Sequence, residues 1–127
     1  MGKPLIYTAS KTCHAAKWLA LRASGVDINS TWIDEAGEGQ STDLSDLAER
    51  CIKEAAQCDF LLLYCEPHEV LKGALFEAGA ALGAGRIVVC VGTCANWSDT
   101  FAKHPNWTFA KSIEDAVAAM NTIYDLV

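Results

Sequence analysis

The apolar residues of this chain fall into short uninterrupted runs, separated by segments in which apolar and polar positions alternate with helical spacing. The two clearest runs lie at residues 58–65 and 86–92. Both are as short and unbroken as strands that are buried on both faces of a sheet. Residues 73–85, between them, are rich in Ala, Gly and Leu and predict a helix. A strand, a helix and a strand in this order imply a parallel sheet.

The rest of the chain continues this alternation of strands and helices. The predicted strands cover residues 5–9, 28–33, 58–65, 86–92 and 107–109. The predicted helices begin near residues 13, 43, 73 and 112. The helix over residues 43–56 has the clearest amphipathic pattern, with apolar residues at i, i+3, i+4 and i+7. The polar, Gly-rich segment before it, residues 35–42, predicts a mobile flap.

This order of elements predicts an α/β fold. Right-handed crossovers would place helices on both faces of a parallel sheet of four to five strands, in a three-layer, doubly wound, flavodoxin-like or Rossmann-like domain. We expect the strand order 2-1-3-4-5 and a single domain over residues 1–127. Ligands of such folds bind beyond the carboxyl ends of the strands. The loops that meet there are residues 10–14, 34–42 and 66–72.

Composition and charge narrow the possible partners. The formal net charge is −6 and 51% of the residues are hydrophobic. An acidic chain does not favour binding to nucleic acid or to an anionic membrane surface. No apolar run reaches the length of about 18 residues that a membrane-spanning helix needs, and the chain enters a strand without a signal peptide. We therefore expect a cytoplasmic protein.

The cysteines predict structural thiols rather than a metal centre. They lie at positions 13, 51, 58, 65, 90 and 94, and no two form a Cys-x-x-Cys pair. A reduced cysteine commonly serves as a small buried hydrophobic residue. A metal site is the weaker interpretation, because Cys90 and Cys94 have no second pair of ligands nearby in the sequence. We accordingly expect no metal and no cofactor.

One carboxylate stands out in the central helix, because Glu77 is the only acidic residue of residues 73–85. The pattern Gly-x-x-x-Glu-x-Gly-x-Ala over residues 73–81 resembles the nucleoside 2-deoxyribosyltransferase family, whose superfamily includes deoxynucleoside 5′-monophosphate N-glycosidases. The resemblance extends to residues 6–10 (Ile-Tyr-Thr-Ala-Ser), to Asp59, and to the order of strands and helices over most of the chain.

The resemblance implies that Glu77 is a catalytic nucleophile that attacks the anomeric carbon of a nucleoside sugar. Cleavage of an N-glycosidic bond passes through an oxocarbenium-like state, which a carboxylate stabilises or captures covalently. The released sugar would pass to water or to another base. The alternative interpretation is that Glu77 is an exposed acid that the helix dipole favours in the first turns.

The other candidate residues would bind the substrate, a small nucleoside or nucleotide. Ser10, Lys11 and Thr12 combine hydroxyls, a cation and free N–H groups at a helix start, which suits a phosphate. Gly73 would let a sugar approach closely. An aromatic residue would stack on the base, with Tyr7 and Trp32 as candidates. His68, in the loop after the third predicted strand, is a candidate acid or base.

Two acidic positions of the family pattern are replaced here, by Cys51 and Leu71. Asp34, Glu66 or Glu69 would have to substitute from nearby loops. The departures leave other functions open: a non-catalytic nucleotide-binding or sensing protein, or a Toll/interleukin-receptor-like domain that cleaves NAD. The resemblance and the Ala-rich helices also imply a homo-oligomer, in which a neighbouring chain completes the site.

Overall fold

A computed structural model describes residues 2–36, 43–96 and 98–126. Its four strands are β1 (Ile6–Ala9), β2 (Phe60–Tyr64), β3 (Ile87–Val91) and β4 (Trp107–Ala110). Its four α-helices are α1 (Ala15–Ala23), α2 (Leu44–Gln57), α3 (Gly73–Gly83) and α4 (Ile113–Asp125). Short 3-10 helices lie at Thr12–His14, Thr31–Asp34 and Phe101–Lys103. Most of the predicted flap, residues 37–42, falls outside the described residues, as does Trp97.

The strands form a parallel sheet in the order β1-β2-β3-β4, which confirms the predicted α/β class. Leu61 and Leu62 are neighbours on β2 and point to opposite faces of the sheet. Both side chains are completely buried, so both faces are covered. This burial explains the unbroken apolar run in the sequence, and it makes the arrangement a three-layer one.

The predicted strand over residues 28–33 is the part of the expected fold that the structure corrects. Ile28 forms a single parallel bridge to Ile6, on the edge of β1 that does not contact β2. The chain then leaves the sheet because a side chain takes the place of backbone pairing with β1. The Ser30 hydroxyl accepts a hydrogen bond from the Thr8 amide at 3.2 Å. The 3-10 helix Thr31–Asp34 follows. The segment thus keeps the predicted place beside β1 without becoming a strand.

The loops after β2 and β3 are locked together at the carboxyl end of the sheet. Gly92 follows β3 with a φ of 90°, and a Cβ atom there would lie 2.0 Å from the Cys65 carbonyl oxygen. Only glycine therefore fits this position. The Cys65 amide donates to the Val91 carbonyl at 3.0 Å, which fixes the start of the loop over residues 66–72.

The helices of the described residues are short. None of those within residues 2–36, 43–96 and 98–126 combines the length and the apolar character that a bilayer crossing demands.

Candidate active site

A cavity of about 600 Å³ opens beyond the carboxyl end of β1, where the loop after β1 meets helices α2 and α3. The walls are mostly apolar and come from Trp32, Leu44, Leu47, Ala48, Cys51, Ile52, Val70, Leu71, Ala74 and Phe76. The polar lining is concentrated at Ser10, Lys11, Thr12, Lys72 and Glu77. A volume of this size is in the range of sites for small organic ligands. The location is also the one that an open parallel sheet favours for ligands.

Glu77 reaches the cavity from the second turn of α3. The helix begins at Gly73, and a Cβ atom at that glycine would lie 3.6 Å from Glu77 Oε2. The carboxylate therefore bends back toward the amino end of α3, as side chains of helices do. The absence of a side chain at Gly73 leaves this approach to the carboxylate open.

The surroundings of Glu77 hold its carboxyl group close to half ionisation at neutral pH. Partial burial raises the pKa of Glu77 to about 7, with the Tyr7 hydroxyl acting in the opposite direction and the Glu54 charge adding to the rise. A carboxyl group in a cleft with a strongly raised pKa is typical of acid, base or nucleophile positions in enzymes.

Tyr7, the second residue of β1, lies directly beside this carboxylate. The side chain is completely buried, and its hydroxyl forms no hydrogen bond of good geometry within the part of the chain that the structure describes. Burial, together with the nearby Glu77 and Cys51 groups, raises the pKa of Tyr7 far above its usual range. The hydroxyl consequently stays protonated and is available as a donor toward Glu77.

The loop after β1 forms the polar edge of the cavity. Lys11 and Thr12 are exposed there, and both line the cavity. The Ser10 hydroxyl is already engaged: it donates to the Lys11 carbonyl at 2.9 Å and accepts from Trp18 Nε1 at 2.9 Å. Thr12 begins a 3-10 helix of three residues that leads into α1. Lys11 and Lys72 are the two cationic side chains among the described lining residues.

Five of the predicted binding residues do not line the cavity, namely Tyr7, Asp34, Glu66, His68 and Glu69. Tyr7 is completely buried, so its ring is not available to stack on a base. The Asp34 carboxylate pairs with Arg22 at 2.7 Å on the protein surface. The Glu66 carboxylate accepts a hydrogen bond from the Tyr64 hydroxyl at 2.7 Å. His68 is exposed, with a φ of 76° in the left-handed region.

Glu69 lies in the loop that follows β2, and its side chain contacts the loop after β1. Its Oε2 atom lies 2.8 Å from His14 Nε2 and 4.0 Å from Cys13 Sγ. Its Oε1 atom accepts a hydrogen bond from the Glu66 amide at 2.8 Å. Burial alone would raise the pKa of Glu69, but the Glu66 amide and His14 outweigh it and hold the pKa below its usual value. Cys13, His14 and Glu69 are the described residues that could hold a metal ion.

The apolar walls contain Trp32, which the sequence analysis named as a stacking candidate, and three residues that it did not identify: Leu44, Ile52 and Phe76. Leu44 and Ile52 belong to the apolar stripe of α2, but their side chains are 67% and 41% exposed and line the cavity. Phe76, beside Glu77, is 75% exposed at the mouth. Trp32 is buried, and its indole N–H donates to the Thr8 carbonyl at 2.8 Å, which fixes the ring against the cavity. The sequence contained one signal for Leu44 and Ile52: the apolar stripe of α2 is wider than the face that is buried against the core.

A comparison with solved structures shows where this fold occurs. The structure of a CMP N-glycosidase from Clostridium botulinum, BcmB, matches with a TM-score of 0.56 and 12% sequence identity. The match covers 94% of this chain and 98% of that chain, so the two proteins share a fold along almost their whole lengths. No protein-family model matches the sequence, and no curated protein matches it by sequence.

Proposed function

We propose that this protein cleaves or exchanges the N-glycosidic bond of a nucleoside or its 5′-monophosphate, with Glu77 as the nucleophile. The observation that carries the proposal is the Glu77 carboxylate, which lines a largely apolar cavity with a pKa raised to about 7 and with the Tyr7 hydroxyl beside it. The fold shared with a CMP N-glycosidase supports the same reaction class. The motif around Glu77 supports it independently.

The proposed reaction has two steps. The ionised Glu77 carboxylate forms a bond to the anomeric carbon while the bond from that carbon to the base nitrogen breaks, and the base takes up a proton as it leaves. Water or an acceptor base then displaces Glu77 from the sugar and releases a proton. Tyr7 is a positioning residue: its protonated hydroxyl lies beside the Glu77 carboxylate and would donate to it.

The substrate would lie along the cavity between two chemically different ends. The apolar side chains of Trp32 and Phe76 would flank the base. A 5′-phosphate would lie at Lys11, Thr12 and Lys72, where two cations and exposed polar groups meet. We favour a nucleotide over a free nucleoside because these groups would bind its phosphate.

Chromatography of released base would test the proposal. The protein is incubated with deoxynucleosides, deoxynucleoside and ribonucleoside 5′-monophosphates and NAD, with and without an acceptor base. Glu77→Gln runs alongside, and Glu114→Gln is the matched control because Glu114 is an exposed acid on α4. We expect release by the wild type and by Glu114→Gln but not by Glu77→Gln. Equal release by all three would refute the role of Glu77.

A second candidate function is nucleotide binding without turnover. It is favoured by Cys51 and Leu71, which line the cavity at positions where the resemblance implies acids. This function predicts no base release from any donor and a rise in melting temperature with one class of nucleotide. Release from NAD alone would instead support the NAD-cleaving alternative.

Self-association is a further part of the proposal. Leu44 and Phe76 expose 67% and 75% of their surface at the cavity mouth, and a second copy of the chain would cover them. Light scattering after size exclusion would reveal a mass above the 13.7 kDa of one chain. A monomeric mass at assay concentration would contradict this part.

A further inference from the structure

Three chemically different ligand side chains meet at the rim of the cavity. Cys13 and His14 are consecutive in the 3-10 helix after β1, and Glu69 comes from the loop after β2, 55 residues beyond His14. Their sulfur, nitrogen and oxygen atoms all lie within 4.8 Å of one another. We propose that Cys13, His14 and Glu69 form a binding site for a divalent transition-metal ion of the zinc type.

The distances require only small side-chain movements to accept the ion. Ligand bonds of about 2.0–2.3 Å in a tetrahedron place a nitrogen and an oxygen about 3.4 Å apart, and a sulfur and an oxygen about 3.6 Å apart. The His14 Nε2 to Glu69 Oε2 distance is 2.8 Å, and the Cys13 Sγ to Glu69 Oε2 distance is 4.0 Å. One pair must therefore open and the other close, each by about half an ångström. The third pair, Cys13 Sγ and His14 Nε2, lies within 4.8 Å and would have to reach about 3.6 Å.

Two of the ligands are held in place by contacts that do not involve the third. Glu69 is fixed through its other carboxylate oxygen, which accepts from the Glu66 amide at 2.8 Å. Its carbonyl accepts from the Ala95 amide at 2.7 Å, which anchors the loop. The His14 ring is buried and lies edge-on to Tyr64 at 5.0 Å. Such supporting contacts orient the metal-binding side chains in established metal sites.

The donor set favours zinc over magnesium or calcium. A thiolate, an imidazole and one carboxylate are ligands of borderline-soft ions, whereas magnesium and calcium prefer oxygen alone. Three protein ligands leave a fourth position for water or another small ligand. Cys13 is exposed and lines the cavity, so this position would be reachable from it. A bound ion would also join the loop after β1, which carries Lys11, to the loop after β2.

Titration of the full-length, metal-free protein with zinc chloride tests the inference. Calorimetry should give one ion per chain, and cobalt chloride should produce the charge-transfer absorption of a thiolate–cobalt bond. Cys13→Ser should abolish that absorption and weaken zinc binding at least tenfold, and Glu69→Gln should also weaken it. Cys13 is exposed, so its variant should fold, as circular dichroism would verify.

A cysteine elsewhere in the chain provides the control. Cys58 is completely buried at the amino end of β2, and its thiol donates to the Ala55 carbonyl, a contact that serine can keep. Cys58→Ser should bind zinc like the wild type. Absence of saturable zinc binding would overturn the inference. Zinc binding as tight in Cys13→Ser as in the wild type, or weakened equally in Cys58→Ser, would overturn it too. The contact between His14 and Glu69 would then be an ordinary hydrogen bond.

Discussion

Replacing Glu77 by glutamine should stabilise the folded protein at neutral and alkaline pH. Burial raises the pKa of Glu77 from 4.5 to about 7, despite the opposing effect of the Tyr7 hydroxyl. The folded state therefore binds this proton more tightly than the unfolded state does. The protonated carboxyl group contributes stability that is fully present below pH 4.5 and is lost as the pH rises through about 7. Glutamine stays neutral throughout this range and loses nothing.

The size of the effect follows from the two pKa values. The interval from 4.5 to about 7 corresponds to about 3 kcal/mol, at about 1.4 kcal/mol per pH unit. Residual solvent contact of the side chain reduces this, so we expect about 1.5–3 kcal/mol at pH 9 and less than about 1 kcal/mol at pH 5. For a chain of 127 residues this is a rise of about 5–9 °C in melting temperature at pH 9.

Thermal unfolding followed by circular dichroism at pH 4, 5, 7 and 9 would measure the effect. The signature is a difference between Glu77→Gln and wild type that grows with pH and levels off above the folded-state pKa. Glu114→Gln removes an exposed acid from α4 and should change stability by less than about 0.5 kcal/mol at every pH. The reasoning would be refuted if Glu77→Gln and wild type were equally stable at pH 9. It would also be refuted if their difference in stability were the same at pH 4 and pH 9.

Four further predictions concern the loops, the helix and the cavity. Gly92→Ala should destabilise the protein by about 3 kcal/mol or more in urea unfolding, because its Cβ atom would lie 2.0 Å from the Cys65 carbonyl oxygen. Gly79→Ala, in the interior of α3 with no atom within 4 Å of the new Cβ, should instead stabilise by about 0.5–1 kcal/mol; the reverse order of these two variants would contradict the packing described. Lys11→Ala should raise KM for a 5′-monophosphate about tenfold and leave KM for the matching nucleoside unchanged; equal effects on both substrates would remove Lys11 from the phosphate site. The kcat/KM of base release should fall about tenfold per pH unit below pH 7, because Glu77 must be ionised to attack; a flat profile down to pH 5 would contradict that requirement.

The sequence predicted those elements whose signal is local and strong. The apolar runs of β2 and β3 are strands that are buried apart from the half-buried Tyr64 and Ile87. The amphipathic helix α2 lies within one residue of its expected bounds. The prediction of a strand at residues 28–33 was wrong because its β-branched residues indicated only a propensity for strand structure. Side-chain hydrogen bonds redirect the backbone: the Ser30 hydroxyl accepts from the Thr8 amide, and the Thr31 hydroxyl donates to the Glu54 carboxylate.

The candidate site was only partly visible in the sequence. Glu77, Gly73 and residues 10–12 could be identified because they follow strands or occupy one short motif, and all of them line the cavity. Glu66 and Glu69 were proposed as substitutes for missing acids, but their carboxylates contact Tyr64 and His14 instead. Spacing along the chain places a loop, whereas the direction of a side chain depends on tertiary partners. The meeting of Cys13, His14 and Glu69 was invisible for the same reason.

Mass spectrometry of the protein during incubation with a donor would test most directly our proposal that Glu77 attacks the sugar. Wild-type protein is mixed with the donor that releases base, quenched in acid within the first turnover, and digested. We expect the wild type to yield a peptide that contains Glu77 and carries the added mass of the sugar or sugar phosphate. We expect no such peptide from Glu77→Gln. Base release with an unmodified Glu77 peptide, together with retained activity in Glu77→Gln, would contradict the account.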